Sequence, residues 1–371
     1  MERIAVIMGK MHSGGKKNLV MEYYRNIDRS KFQFDFICDS DSNAIPKGEI
    51  EQLGGRVFEV TPYSHIIKNM KDMDHILKKE KYKIIHAYNG TMNLFPMYMA
   101  YKNRIPVRIS ESISMAHEDD KKTIIKNILK PFSKMFATHY MANGEACARY
   151  QFGDTLFEEG KVTVFKTVIN TEKNQFDSIT REKTRLDLGI KDDTLLLGHI
   201  GRLTEQKNTL FIIDIFNEVL KIEPTTKLLI IGDGNLKNDM LKRIKEYGIV
   251  NAVIYLGRRE DIQKFYNAMD GFLLPSLYEG LPVVGVEAQD CGLPVFFSTE
   301  IPEESSVCHD LGLFISLKKS AAYWAEEIIK YTKKAKKNRR NRKEELKKAG
   351  FDSRYEGKKL TYYFESIMET L

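Results

Sequence analysis

No apolar run in the chain approaches the ~18 residues of a membrane span. Its first residues, MERIAVIMGKM, are too short in apolar content for a secretory signal and read as a buried strand. Cysteine is scarce and scattered: Cys38, Cys147, Cys291 and Cys308 show no CxxC or CxxH spacing. That excludes a disulfide framework and a zinc cluster, and fits a reducing, cytoplasmic compartment. The glycine fingerprint G-x-G-x-x-G is missing as well. Gly9, Gly14 and Gly15 have the wrong spacing, which weighs against a dinucleotide dehydrogenase.

What remains is a chain of 371 residues, 42% hydrophobic and 29% charged, long enough for two cores. The net charge of +7 is concentrated: KKAKKNRRNRKEELKK (333–348) alone carries +8, so the remainder is close to neutral.

Short apolar segments alternate with helical ones. RIAVIM (3–8), FQFDFIC (32–38), RVFEV (56–60), KIIHAY (83–88) and PVRIS (106–110) read as strands, with helical segments at 16–27, 66–80 and 91–102. The pattern restarts with TLLLGHIG (194–201), KLLIIGD (227–233), VIYLG (253–257), GFLLPS (271–276) and PVFFS (294–298). Helical segments at 208–222, 235–247, 260–268 and 283–290 lie between them. Strands separated by helices imply parallel βαβ units, hence two doubly wound α/β domains whose ligands bind beyond the carboxyl ends of the strands. The boundary falls near VINTEKNQFDSIT (168–180), giving domains 1–170 and 171–352. The last helix, 353–371, is free to pack back on the first.

Three loops at strand ends carry the chemistry. HSGGKKN (12–18) opens a helix, and its paired glycines let an anion approach the backbone; a plain turn fits equally well. In GRLTEQKN (201–208), Arg202 and Lys207 flank a short loop after Gly201. Two such cations can grip a pyrophosphate, although either alone reads as a solvated surface charge. YEGLPVVGVEA (278–288) sets Glu279 just before a helix begun by Pro282, and Glu287 on its second turn. The amides near Leu281 to Val283 suit a phosphate, Glu287 suits ribose hydroxyls and Glu279 suits sugar hydroxyls. A capping acid and a solvated helix acid are the plainer alternatives.

These residues resemble the retaining glycosyltransferases of family 4, with their GT-B fold of two Rossmann-like domains facing a central cleft. The resemblance rests on the E-x7-E pair Glu279 and Glu287, GRLTEQKN, IIGDGNL (230–236) and NAMDGFLLPSLYEGLP (267–282). It rests less strongly on Gly14–Gly15, NGEACARYQFG (143–153) and KVTVFKTVINTEKNQFD (161–177). It implies that Arg202 and Lys207 hold a donor diphosphate, with Gly14 and Gly15 closing over it. Glu287 would then hold the ribose and Glu279 the transferred sugar, with amides from Gly280, Leu281 and Val283 around Pro282 on the phosphate. Arg258 would stand where backbone groups meet the base. The implied reaction moves a sugar, most commonly from a UDP-sugar, to an acceptor hydroxyl with retention and without a bound metal. Relatives that build capsule and exopolysaccharide suggest a lipid-linked glycan acceptor.

One position departs from the family pattern. Many relatives carry a histidine after the fifth strand, where PVRISESIS has Glu111; the next histidine is His117. Glu111 is therefore a candidate to orient sugar or acceptor, or a sign of altered specificity or weakened activity. Two segments suggest contact with the inner face of an anionic membrane. KKTIIKNILKPFSKMF (121–136) has a basic, helical rhythm that Pro131 must kink, and 333–348 is the basic run. Solvated helix faces are the plainer reading of both. No recognition motif supports nucleic acid. A nucleotide-sugar epimerase and a nucleotide-sugar-binding subunit without catalysis share the architecture and stay open at this stage.

Overall fold

Alternating apolar sets along each strand build two separate sheets. The computed structural model describes residues 1–12, 14–113, 127–335 and 339–371. It divides into two compact units, Met1–Val168 with Ser353–Leu371, and Ile169–Asp352.

The first unit has seven described strands: β1 (Glu2–Gly9), β2 (Phe32–Asp39), β3 (Arg56–Val60), β4 (Ile84–Ala87), β5 (Val107–Ser112), β6 (His139–Ala142) and β7 (Val162–Val164). They pair in parallel in the order β3-β2-β1-β4-β5-β6-β7. Ile4, Val6 and Met8 of β1 enter one core with Phe34 and Phe36, while Ala5 and Ile7 enter another with Ile85 and Ala87. Both faces are covered, which is why β1 reads as one continuous apolar run. The last helix, Ser353–Glu369, adds Leu360, Phe364 and Ile367 to the first of these cores, with the Phe364 ring 5.4 Å from that of Phe32.

The second unit has six described strands: β8 (Leu196–Ile200), β9 (Lys227–Ile231), β10 (Val253–Tyr255), β11 (Gly271–Leu274), β12 (Val295–Ser298) and β13 (Gly312–Ile315). Their order is β10-β9-β8-β11-β12-β13, again parallel. Leu197, Leu228 and Ile230 face Trp324 on one side; Leu196, Leu229 and Ile231 face Tyr266 on the other. Chain direction across the sheet reverses between β8 and β11. The carboxyl ends of those two strands, at this switch point, are where ligands of doubly wound sheets bind.

Three expectations need correction. Strands β6 and β13 and the helix Ala321–Ala335 are additional elements; HYMA and GLFI are too short to show a period. Strand β5 continues to Ser112, so Glu111 lies inside the strand and not after it. For the segment 121–136, residues 121–126 lie outside the described residues, as does His117. Beyond Leu129 the chain forms a 3-10 turn over Lys130–Phe132 and then turns, because Pro131 cannot continue a helix. Ile128, Phe132 and Met135 are exposed there.

In the basic run 333–348, with 336–338 outside the described residues, Arg339, Arg342 and Lys343 are drawn into the fold, while Lys333, Lys334, Arg340, Lys347 and Lys348 stay exposed. Arg342 is 4% exposed and pairs with Asp310 and Glu345, Lys343 pairs with Glu172, and Lys333 reaches Glu223 at 2.8 Å. Arg339 donates to the carbonyls of Tyr266, Asn267, Met269 and Cys291. A guanidinium fork can meet several helix-end carbonyls at once, and Arg339 does so here. No described helix is long and apolar enough to cross a membrane.

Candidate active site

The loop 201–208 leaves β8, and 275–282 leaves β11. They are tied together by Leu277 N–H donating to the Gln206 carbonyl at 2.8 Å and by Gln206 Nε2 donating to the Tyr278 carbonyl at 3.2 Å. Between them Lys207 Nζ pairs with Glu279, both side chains nearly buried at 12% and 10% exposure. The two residues expected to hold diphosphate and sugar thus hold each other.

Behind the pair stands His199 on β8. Its Nδ1–H donates to the Leu273 carbonyl at 2.9 Å, so Nε2 is an acceptor, and that atom has no hydrogen-bond partner among the described residues. Burial, outweighing the hydrogen bond to Leu273, holds the imidazole down to about 4, and the Lys207 charge adds to this. The ring is therefore neutral at physiological pH and does not repel Lys207.

Arg202 is exposed and donates to Gln206 Oε1 at 3.0 Å, and no carboxylate among the described residues pairs with it. Gly232 explains how tightly this corner is built: a Cβ there would lie 1.8 Å from the Gly201 carbonyl oxygen, at φ +146°. Only glycine allows the β8 and β9 ends to approach so closely. Arg258, exposed, follows Gly257, whose carbonyl accepts from Gly232 N–H at 2.8 Å.

The helix Val283–Asp290 has the expected bounds, with Pro282 as its cap. Proline has no N–H, so only Gly280, Leu281 and the first helical amides can serve an anion there. Gly285 lets this helix sit close on β12: an added Cβ would lie 2.9 Å from Phe297. That contact sets the height of Glu287, whose Oε2 accepts from the Tyr266 hydroxyl at 2.8 Å. One turn on, Asp290 is fully buried with neither carboxyl oxygen hydrogen-bonded among the described residues.

The first unit carries the other candidates. Gly14 caps the helix Gly15–Asn26 at φ +153°, a conformation that requires glycine; both Gly14 and Gly15 are exposed and face open space. Beside them Lys16 Nζ donates to the Met8 carbonyl and to Asn89 Oδ1 at 3.1 Å, and desolvation lowers it to about 8. Glu111 is 2% exposed and lies 2.7 Å from His86 Nε2, with Tyr88 stacked on the imidazole at 4.3 Å. Its carboxylate faces the protein and not an open surface.

Sequence reading missed His199, Tyr266 and Lys16. His199 lay within a strand motif, Tyr266 directly preceded the quoted NAMDGFLLPS stretch, and Lys16 followed Gly15. Among the described residues no group of three His, Cys, Asp or Glu side chains is arranged to hold a metal ion.

Comparison with known proteins gives this arrangement its class. Residues 180–349 match the family model described as Glycosyl transferases group 1. The chain is 29% identical over 358 residues to the putative glycosyltransferase EpsF of Bacillus subtilis (strain 168), covering 95% of this chain and 93% of that protein. It is 26% identical over 306 residues to the UDP-Gal:alpha-D-GlcNAc-diphosphoundecaprenol alpha-1,3-galactosyltransferase of Escherichia coli, covering 76% of each. Anabaena Alr3699/HepE, solved in complex with UDP, shares the fold with a TM-score of 0.77 at 19% identity, covering 100% of both chains. The chain carries a glycosyl transferases group 1 domain, and it is a glycosyltransferase. Its two Rossmann-like halves are those of the GT-B class.

Proposed function

We propose that the protein transfers a sugar from a UDP-sugar, with retention, to a hydroxyl of a lipid-linked glycan in the synthesis of a surface polysaccharide. The observation that carries this reading is the Lys207–Glu279 pair between the loops that leave β8 and β11, with Arg202 on the first loop and Glu287 on the helix that follows the second. The E. coli relative, named for a UDP-Gal donor and a diphosphoundecaprenol acceptor, supports the donor and acceptor classes. Retention rests on the resemblance of the Glu279 and Glu287 motif.

In this reading a diphosphate competes with Glu279 for Lys207. Glu279, released, accepts from the sugar hydroxyls, and Glu287 accepts from the ribose. The bond from the anomeric carbon to the diphosphate oxygen breaks and UDP departs. The acceptor oxygen bonds to the same face, and its proton passes to a diphosphate oxygen. Arg202, Lys207 and the helix amides stabilise the charge that develops on the departing diphosphate. An epimerase would change UDP-sugar without any acceptor, so product analysis separates it from this reading.

UDP at 100 times its Kd is expected to stabilise the protein by about 2.7 kcal/mol. A thermal-shift series with Glu287→Ala and Arg202→Ala should lose most of that gain. If UDP fails to stabilise the wild type, or stabilises the variants equally, the donor-site assignment is wrong.

A further inference from the structure

We infer that Tyr266 is a positioning residue that orients the Glu287 carboxylate toward the ribose diol of the donor, an inference that rests on the donor site proposed above. Three observations carry it. First, the contact is specific: the phenol O–H donates to Oε2 at 2.8 Å, while the ring is fully buried in the core beside Phe272, at 5.8 Å between centroids. A carboxylate offers about four lone-pair positions, and one bond from a fixed donor sets the direction of the others.

Second, the donor cannot turn away or ionise. Burial first, and the Glu287 charge next, hold the phenol well above its usual range, so it remains an O–H donor at any working pH.

Third, the spacing between the two residues is braced by a single side chain. Arg339 donates from Nη2 to the Tyr266 carbonyl at 2.6 Å and from Nε to the Cys291 carbonyl at 3.0 Å. Cys291 ends the helix Val283–Asp290 that bears Glu287, and Tyr266 lies on the helix Gln263–Ala268. One guanidinium therefore joins the carboxyl ends of both helices, where a cation is favoured by their dipoles. Arg181 adds bonds to the carbonyls of Asn267, Ala268 and Met269 at 2.9, 3.1 and 3.0 Å. A Glu side chain held this way meets a diol with its orientation already set, so less is lost in ordering it on binding.

The test compares UDP with 2′,3′-dideoxy-UDP by calorimetric titration against wild type, Tyr266→Phe, Glu287→Ala and the double variant. Wild type should prefer UDP by about tenfold or more, the net value of hydrogen bonds to a charged acceptor. Tyr266→Phe should lower that preference at least threefold while leaving the dideoxy affinity within twofold. In the Glu287→Ala background the same change should have no further effect on the preference. Equal weakening of both nucleotides by Tyr266→Phe would assign Tyr266 a structural role only and overturn the inference, as would an undiminished preference. Absence of any preference in the wild type would remove the ribose assignment itself, and with it the inference. If Tyr266→Phe alone loses its thermal transition, the Arg339→Lys variant, which keeps the charge but not the fork, is read by the same ratio. It should lower the preference, and an unchanged ratio there counts against the inference.

Discussion

Lys207→Ala is expected to lower kcat by about 100- to 1,000-fold, the cost of removing one preorganised group that stabilises developing negative charge. The surroundings of Lys207 suit the role proposed for it: it is nearly buried, held by Glu279, and backed by an imidazole that carries no charge. Low exposure makes its field stronger at a neighbouring diphosphate than that of a solvated lysine. The same substitution strands Glu279 without its partner, at a cost in stability of ~3–5 kcal/mol for a buried pair broken on one side. Kinetics must therefore be taken well below the variant's melting temperature. Arginine is not a neutral control, since its planar fork differs from an ammonium in shape and reach. A variant that melts early yet turns over at the wild-type rate would show that Lys207 serves structure alone.

Asp290→Asn is expected to stabilise the protein at pH 8, on the order of 5 kcal/mol, and to change little near pH 4. Burial, then the charges of Asp352 and Glu287, push this carboxyl up to about 8. Its value in the unfolded chain is ~4. Between the two, the folded protein keeps a proton that the unfolded chain releases. Stability from this group is therefore complete below about pH 4 and declines by ~1.4 kcal/mol per unit until the folded value is passed. Asparagine has no such proton, so the decline disappears. His199 acts in the opposite sense, favouring the unfolded chain as pH falls below ~6.5, but it is common to both proteins and cancels in the difference. Urea midpoints at pH 4.5 and pH 8 provide the check, and a difference that is the same at both pH values contradicts the account. A neutral Asp290 also has a local consequence, because it adds no charge one turn from Glu287.

The α/β architecture was legible because its strands are covered on both faces, and IAVIM (4–8) and LLII (228–231) show that burial as unbroken apolar runs. The helix Val283–Asp290 was legible from Pro282 and the small and apolar residues after it. Pairings between distant segments were not. Lys207 and Glu279 are 72 residues apart and Glu111 and His86 are 25 apart, and neither spacing marks a partner. Charge counted along the basic run likewise does not reveal which of its cations turn inward, as Arg339 does to carbonyls and Arg342 to carboxylates. Tyr266 looked like one more core aromatic, and only the position of its hydroxyl distinguishes it.

The central claim is that this chain moves a sugar from UDP to an acceptor hydroxyl with the anomeric configuration kept. Proton NMR of the product, from UDP-sugars incubated with a panel of diphosphate-lipid-linked sugars, tests it most directly. The account predicts UDP release that depends on acceptor, matched by a new glycosidic linkage of the donor's own anomeric configuration. An inverted linkage, or UDP-sugar altered without any acceptor, would contradict it.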